Sequence, residues 1–145
     1  MAYGRAMTDV AVGDRAELTF TVSAVDTADA LGSGDVPVLA TPRAIAWVEA
    51  ASCAAVANAL EPGQTSVGTH VEVDHLLPTW VGASVVADAM VAEISGRRLR
   101  FEVRLVDAEQ RLLLAGWIDR ALVDREKFSR SPSELTEIEI CIKLR

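Results

Sequence analysis

Thr41-Pro42-Arg43-Ala44-Ile45-Ala46-Trp47-Val48-Glu49-Ala50-Ala51-Ser52-Cys53-Ala54-Ala55-Val56-Ala57-Asn58-Ala59-Leu60-Glu61-Pro62-Gly63 is the stretch on which the fold turns. A helix is predicted from Thr41 to Leu60. Thr41 is a good N-cap residue and Pro42 suits the first helical position. The alanine-rich run favours helix, and Glu61-Pro62-Gly63 stops it. Apolar residues fall on almost every side, so the helix is expected to be buried rather than to lie on the surface. Glu49 is the only ionisable carboxylate between Arg43 and Glu61. Burying an unpaired carboxylate costs on the order of several kcal/mol unless it is protonated, paired or hydrogen-bonded. Glu49 is therefore expected to have either a partner or a function.

The sequence on either side of this helix reads mostly as strands. Glu17 to Val22 alternates, with Leu18, Phe20 and Val22 on one face. Residues from about Thr27 to Val38 are rich in Gly, Asp and Pro and read as a loop with room for a short helical turn. Beyond the helix, Ser66 to His75 alternates. Regular pleating puts Val67, Thr69, Val71, Val73 and His75 on one face and Gly68, His70, Glu72 and Asp74 on the other. Ala83 to Ile94 reads as a strand ending in a hairpin turn at Ser95-Gly96. Leu99, Phe101, Val103 and Leu105 alternate with charged residues, and Arg111 to Val123 forms a last long strand. One strand, a long helix and then consecutive antiparallel strands make an α+β layout, with a buried helix against a curled sheet. Thr136 to Leu144 also alternates and is expected to be an appended strand or a loose tail.

The chain has 145 residues, the length of one ordinary domain, and half of them are hydrophobic, enough for a core without staples. A net charge of −7 argues against a general nucleic-acid binder. The two cysteines, Cys53 and Cys141, have no metal-like spacing, and two histidines without a ligand cluster give no metal site. The first residues lack the apolar core of a secretory signal, and no apolar run is long enough to span a membrane. A cytoplasmic location without membrane attachment is the expectation.

Thr41, Glu49 and His75 stand in apolar surroundings. A carboxylate beside an imidazole can support acyl transfer, with the carboxylate attacking or activating water and the histidine moving protons near neutral pH. Each residue also has a structural reading. Thr41 can be a helix cap, His75 a hydrogen-bonded core histidine, and Glu49 half of an ion pair with Arg43 or an arginine of the sheet. If Thr41 caps the helix that carries Glu49, the two lie roughly 12 Å apart along its axis and cannot hydrogen-bond within one chain. A shared site then requires a second subunit or a helix that starts later.

The elements Leu39-Ala40-Thr41, Trp47-Val48-Glu49-Ala50-Ala51-Ser52-Cys53, Leu60-Glu61-Pro62-Gly63, Ser66-Val67-Gly68-Thr69, Val73-Asp74-His75, Pro78 and Gly82 together resemble the fluoroacetyl-CoA thioesterase family of hotdog-fold proteins. The resemblance runs from about Val12 to Phe128, which implies a hotdog domain over 1–128 and a C-terminal extension over 129–145. It implies a long helix wrapped by a curled antiparallel sheet, a homodimer, and hydrolysis of a short or medium acyl thioester carried on coenzyme A or a carrier. No cofactor is implied beyond the coenzyme A of the substrate. Carried over, Glu49 is the catalytic carboxylate, His75 the general acid/base and Thr41 the residue that positions carboxylate or thioester. Gly68 and Val36 are the implied substrate-binding residues. The family's fluoroacetate-specific members carry a phenylalanine lid before the threonine. Ser33-Gly34-Asp35-Val36-Pro37-Val38 has no aromatic residue, so the resemblance does not extend to fluoroacetyl specificity. Hotdog folds also carry hydratases and dehydratases, and a non-catalytic acyl-CoA or small apolar ligand-binding module is a third reading. Arg97, Arg98, Arg100, Arg104, Arg111 and Arg120 cluster in the late strands, where alternation with acidic residues reads as a solvated face, and none is assigned to the coenzyme.

Overall fold

A computed structural model describes residues 9–130 of the chain. Its elements run β1 (Arg15–Thr21), α1 (Ala28–Leu31), α2 (Thr41–Val56), β2 (Gln64–His75), β3 (Ser84–Ser95), β4 (Arg98–Asp107), β5 (Leu112–Asp124) and α3 (Arg125–Ser129). The five strands form one antiparallel sheet in the order β1-β3-β4-β5-β2. The α+β layout expected from the element order is therefore present. The strand expected over Thr136–Leu144 lies outside the described residues.

The long helix is where the alanine-rich run puts it, but both ends differ from expectation. The N-cap position belongs to Ala40, which has extended backbone and no capping side chain, so Thr41 is the first helical residue and Pro42 the second. The Thr41 hydroxyl is thus not used as a cap. At the other end the α-helix stops at Val56 and tightens into a single 3-10 turn, Ala57–Ala59, before the Pro62-Gly63 stop. Burial is also less complete than the all-round apolar pattern suggests. Ala44, Trp47, Val48, Ala51, Ser52 and Val56 are buried, whereas Ala46, Cys53 and Ala54 are exposed on the opposite side.

The core forms where α2 lies on the sheet. Val85, Ala87, Ala89 and Val91 of β3, Leu99, Phe101, Val103 and Leu105 of β4, and Leu114, Ile118 and Leu122 of β5 face the helix. Small buried residues at the crossing, Ala44 and Ala51 on the helix and Ala87 and Ala89 on β3, let the two backbones approach closely. Trp47 closes the β1 side by stacking on Phe20, with ring centroids 4.6 Å apart and planes 3° from parallel. The outward face carries the expected charge alternation. Asp88 is bridged by Arg15 and Arg104, and Arg100 pairs with Asp119 through two hydrogen bonds. These arginines are 40–49% exposed, so solvent screens each pair and it contributes little to stability.

Two features of the sheet matter for the site. The hairpin between β3 and β4 turns through Gly96 and Arg97, one residue later than Ser95-Gly96, with Gly96 at φ +59°. More consequentially, among the described residues β2 pairs only with β5, so its 12 residues form a sheet edge there. Its register shifts between Gly68 and His70: Gly68 opposes Arg120, His70 opposes Asp119, and Thr69 is the extra residue of a β-bulge.

Candidate active site

The bulge overturns the regular pleating expected for β2. Residues directly opposed in an antiparallel pair share a face. Val71 opposes Ile118, Val73 opposes Gly116 and His75 opposes Leu114, and all of these look toward the helix. Gly68, opposite Arg120, lies on that same face instead of the outer one. One extra residue therefore brings Gly68 and His75 to the helix side, although their separation in sequence is odd.

At one end of this face, His75 meets the start of α2. Thr41 Oγ1 and His75 Nδ1 lie 2.7 Å apart, a hydrogen bond made possible because the hydroxyl is not engaged in capping. His75 Nε2 is buried and has no hydrogen-bond partner among the described residues. Burial pushes the His75 imidazole below its ordinary pKa, an effect only partly offset by the Leu77 backbone. The ring is therefore neutral at pH 7, able to act as an acceptor or a neutral donor. Both residues line an open cavity of about 260 Å³, with Ala28, Ser33, Val38 and Leu39 on one side and Leu76, Leu77 and Pro78 on the other. Val36 is not part of this lining. It is exposed in the loop, where its carbonyl accepts from Asp29 N, and the neighbouring Val38 and Leu39 form the wall instead.

Two helical turns away, Glu49 has a different set of partners. Its Oε2 lies 3.5 Å from Nη1 of Arg120, whose side chain is 8% exposed while that of Glu49 is 36% exposed. Arg120 is fixed in turn by Ser66, donating from Nε to Ser66 Oγ at 2.8 Å and from Nη2 to the Ser66 carbonyl at 3.1 Å. A Cβ on Gly68 would fall 2.7 Å from Glu49 Oε2, so the glycine leaves the space the carboxylate occupies. Of the two partners open from sequence, the sheet arginine is the one observed. Arg43 turns away to Asp26, 2.9 Å off without hydrogen-bond geometry. Arg120 was not singled out from sequence. Its only signal there was a cation in the last long strand, and its relation to Glu49 depends on the β2–β5 register.

The described chain thus holds two half-sites, Thr41–His75 beside a cavity and Glu49–Gly68–Arg120 beside the bulge. It brings Thr41 to His75 but not Glu49 to either.

A neutral buried imidazole has a thermodynamic consequence. The unfolded chain binds a proton at His75 near the ordinary value of 6.5, whereas the folded chain resists it. The associated stability is complete above 6.5 and is lost as pH falls from there through the lowered folded value. A two-dimensional NMR titration should show His75 titrating below 6.5. His75→Gln should flatten the acid limb of the unfolding free energy. A native His75 pKa at or above 6.5 would contradict this description.

A long helix laid on a curled antiparallel sheet defines the hotdog class. Solved structures agree: a hot-dog-like protein from Thermanaerovibrio acidaminovorans superposes with a TM-score of 0.73 at 21% identity, covering 81% of this chain and 86% of that one. The family is identified by sequence as well. Residues 22–126 match the model of the fluoroacetyl-CoA-specific thioesterase family. The fluoroacetyl-CoA thioesterase of Streptantibioticus cattleyicolor is 33% identical over 99 residues, covering 68% of this chain and 70% of that protein. A structure of the fluoroacetyl-CoA thioesterase FlK superposes with a TM-score of 0.79 at 31% identity, covering 88% of this chain and 98% of that one. The chain belongs to the fluoroacetyl-CoA-specific thioesterase family and is a thioester hydrolase.

Proposed function

We propose that the protein hydrolyses a short or medium acyl-CoA thioester at a site assembled from two chains, with Thr41 and His75 from one subunit and Glu49, Gly68 and Arg120 from the other. The observation that carries this reading is the Thr41–His75 hydrogen bond beside a cavity, with the only carboxylate of α2 held two turns away against Gly68. A symmetric dimer presents each half-site to the complementary half of its partner. The 12-residue edge that β2 leaves open among the described residues supplies a surface through which two copies can join.

In this site the thioester carbonyl lies between the two halves. Glu49 either attacks the carbonyl carbon itself, giving an acyl anhydride that water then opens, or takes a proton from water as that water attacks. In both routes the C–S bond breaks and coenzyme A leaves as its thiol after receiving a proton. In the first route that proton comes from solvent, and His75, oriented by Thr41, is the general base that takes one from the water opening the anhydride. In the second, His75 is the general acid/base that relays the proton taken from water to the departing thiolate. Arg120 holds Glu49 in place. The cavity beside Thr41 receives the acyl group. Beside Ser33, Thr41 and His75 its walls are aliphatic, and among the described residues no Phe, Tyr or Trp side chain lines it, which fits acyl groups beyond the fluoroacetyl group of the relative named above.

Subunit complementation tests the shared site. Glu49→Gln and His75→Ala homo-oligomers should each be nearly inactive in a turnover screen from acetyl-CoA and fluoroacetyl-CoA to octanoyl-CoA. After mixing and exchange in equal amounts, half-site complementarity in a two-fold dimer restores roughly a quarter of wild-type sites. No recovery after proven subunit exchange, or full activity of a monomer by light scattering, would sink the two-chain site. Hydration of crotonyl-CoA in place of thioester cleavage would instead favour a hydratase.

A further inference from the structure

The start of α2 is not fixed by the helix's own residues. Ala40 occupies the cap position without a capping side chain, and no acidic residue lies in the first turn. Thr41, a residue type that caps well, comes next. A start one residue later would engage its hydroxyl with the helix backbone and take it from His75. The position of the start therefore decides whether the Thr41–His75 hydrogen bond can form, and a group outside the helix has to hold it.

Asp26 reaches that start twice. It is buried at the end of a single 3-10 turn, Ala24–Asp26. Its carbonyl accepts from Ala40 N at 2.9 Å, while the Ala40 carbonyl accepts from Ala44 N at 3.0 Å, so both backbone groups of Ala40 are engaged. Its carboxylate divides its oxygens between two elements. Oδ2 accepts from Ser23 N at 2.8 Å and from Ser23 Oγ at 2.9 Å, closing the turn that aims the Asp26 carbonyl at Ala40. Oδ1 lies 2.9 Å from Nε of Arg43, in the first turn of α2 with Thr41. That second contact lacks hydrogen-bond geometry and acts through charge. Leu39, a wall of the cavity beside His75, is held in the same place by its bridge to Thr27 and by the Thr79 carbonyl, which accepts from Leu39 N at 2.7 Å. The structure assigns Asp26 as the positioning residue of the Thr41–His75 pair. By pinning the helix start at Ala40 and holding Arg43, it leaves the threonine hydroxyl to the imidazole instead of to the cap. Its effect on turnover rests on the acyl-transfer reading above, whereas its effect on the hydrogen bond does not.

The test reads the hydrogen bond and the reaction separately. Asp26→Asn keeps an oxygen for Ser23 but turns an uncharged amide to Arg43. Arg43→Met removes the same contact from the other side and serves as a second route should the first variant fold poorly. In each, the 15N resonance of His75 Nδ1 at pH 7 should move toward its position in Thr41→Val, where the hydroxyl is absent. The kcat for acyl-CoA should fall by about tenfold or more, the scale on which small displacements of positioned groups act, with a smaller change in KM. Combining Asp26→Asn with Arg43→Met should lower kcat no further, because the two share one contact. Arg43→Lys keeps a cation within reach of Asp26 and should retain the wild-type resonance and kcat. A wild-type His75 resonance and kcat in both Asp26→Asn and Arg43→Met, even with a lowered melting temperature, would overturn the assignment and leave Asp26 a structural residue only. If the wild-type protein cleaves no acyl-CoA, the proposed function fails, and the His75 resonance alone still decides the role of Asp26.

Discussion

Glu49→Gln is expected to lower kcat for acyl-CoA hydrolysis by about 10²–10⁴-fold, the range for removal of a positioned proton-transfer group, and by more if the carboxylate is the nucleophile. The amide keeps the shape and one acceptor oxygen, so it can still lie against Gly68 and accept from Arg120. Arg120 also retains both contacts to Ser66. The ion pair it loses is long, at 3.5 Å, and the Glu49 side chain is more than a third exposed. Stability should therefore fall by only about 1 kcal/mol or less. The diagnostic result is a large loss of kcat with a nearly unchanged melting temperature. Hydrolysis at the wild-type rate across the acyl panel would remove Glu49 from the mechanism. Mass spectrometry of rapidly quenched wild-type enzyme separates the two routes, since only attack by Glu49 leaves an acyl adduct on the protein.

Gly116→Ala should act through the fold instead. Gly116 sits in β5 opposite Val73, and a Cβ there would fall 2.1 Å from the Glu72 carbonyl oxygen and 2.7 Å from Val73 Cα. Both atoms belong to the backbone, so no flexible side chain can move to relieve the contact. Overpacking of this kind costs about 3 kcal/mol, and here it pushes β2 from β5, its partner strand. Because β2 also carries Gly68 and His75, the Thr41–His75 hydrogen bond should loosen and kcat should drop with stability. Denaturant unfolding at pH 7 gives the first quantity and steady-state kinetics the second. An unchanged unfolding midpoint would mean that the two strands lie further apart at this point than described.

The parts of this molecule that depend on local pattern were legible in its sequence. The helix over the alanine-rich run, the alternation of Leu99 to Leu105 and the placement of the late strands follow from period and turn chemistry, and the sheet confirms them within a residue or two. The parts that depend on register were not. Thr69 looks like an ordinary strand residue, and nothing local marks it as the extra one. Its role appears only when β5 supplies the partner positions, and with it the face on which Gly68 lies. Arg120 was hidden for the same reason, being 71 positions from Glu49 and one arginine among several. The cap at Thr41 failed differently. Threonine is a good cap, but the helix begins one residue earlier than expected, at Thr41 with Ala40 in the cap position, and the hydroxyl lies against His75 instead. Residue type suggested a role there, and a competing hydrogen-bond partner from another element decided it.

Thr41 and Glu49 sit eight residues apart on one uninterrupted helix, and this has a consequence for how the protein can vary. Each residue advances the helix by about 1.5 Å and turns it by about 100°. Adding or removing a single residue between them would swing the carboxylate away from Gly68 and Arg120, whatever side chain was inserted. The spacing is therefore held more tightly than the composition. Ala46 and Ala50 can exchange for other small residues while the interval from 41 to 49 cannot change length. Insertions and deletions should be tolerated instead in the loop of residues 32 to 38, where the chain can absorb them without turning the helix.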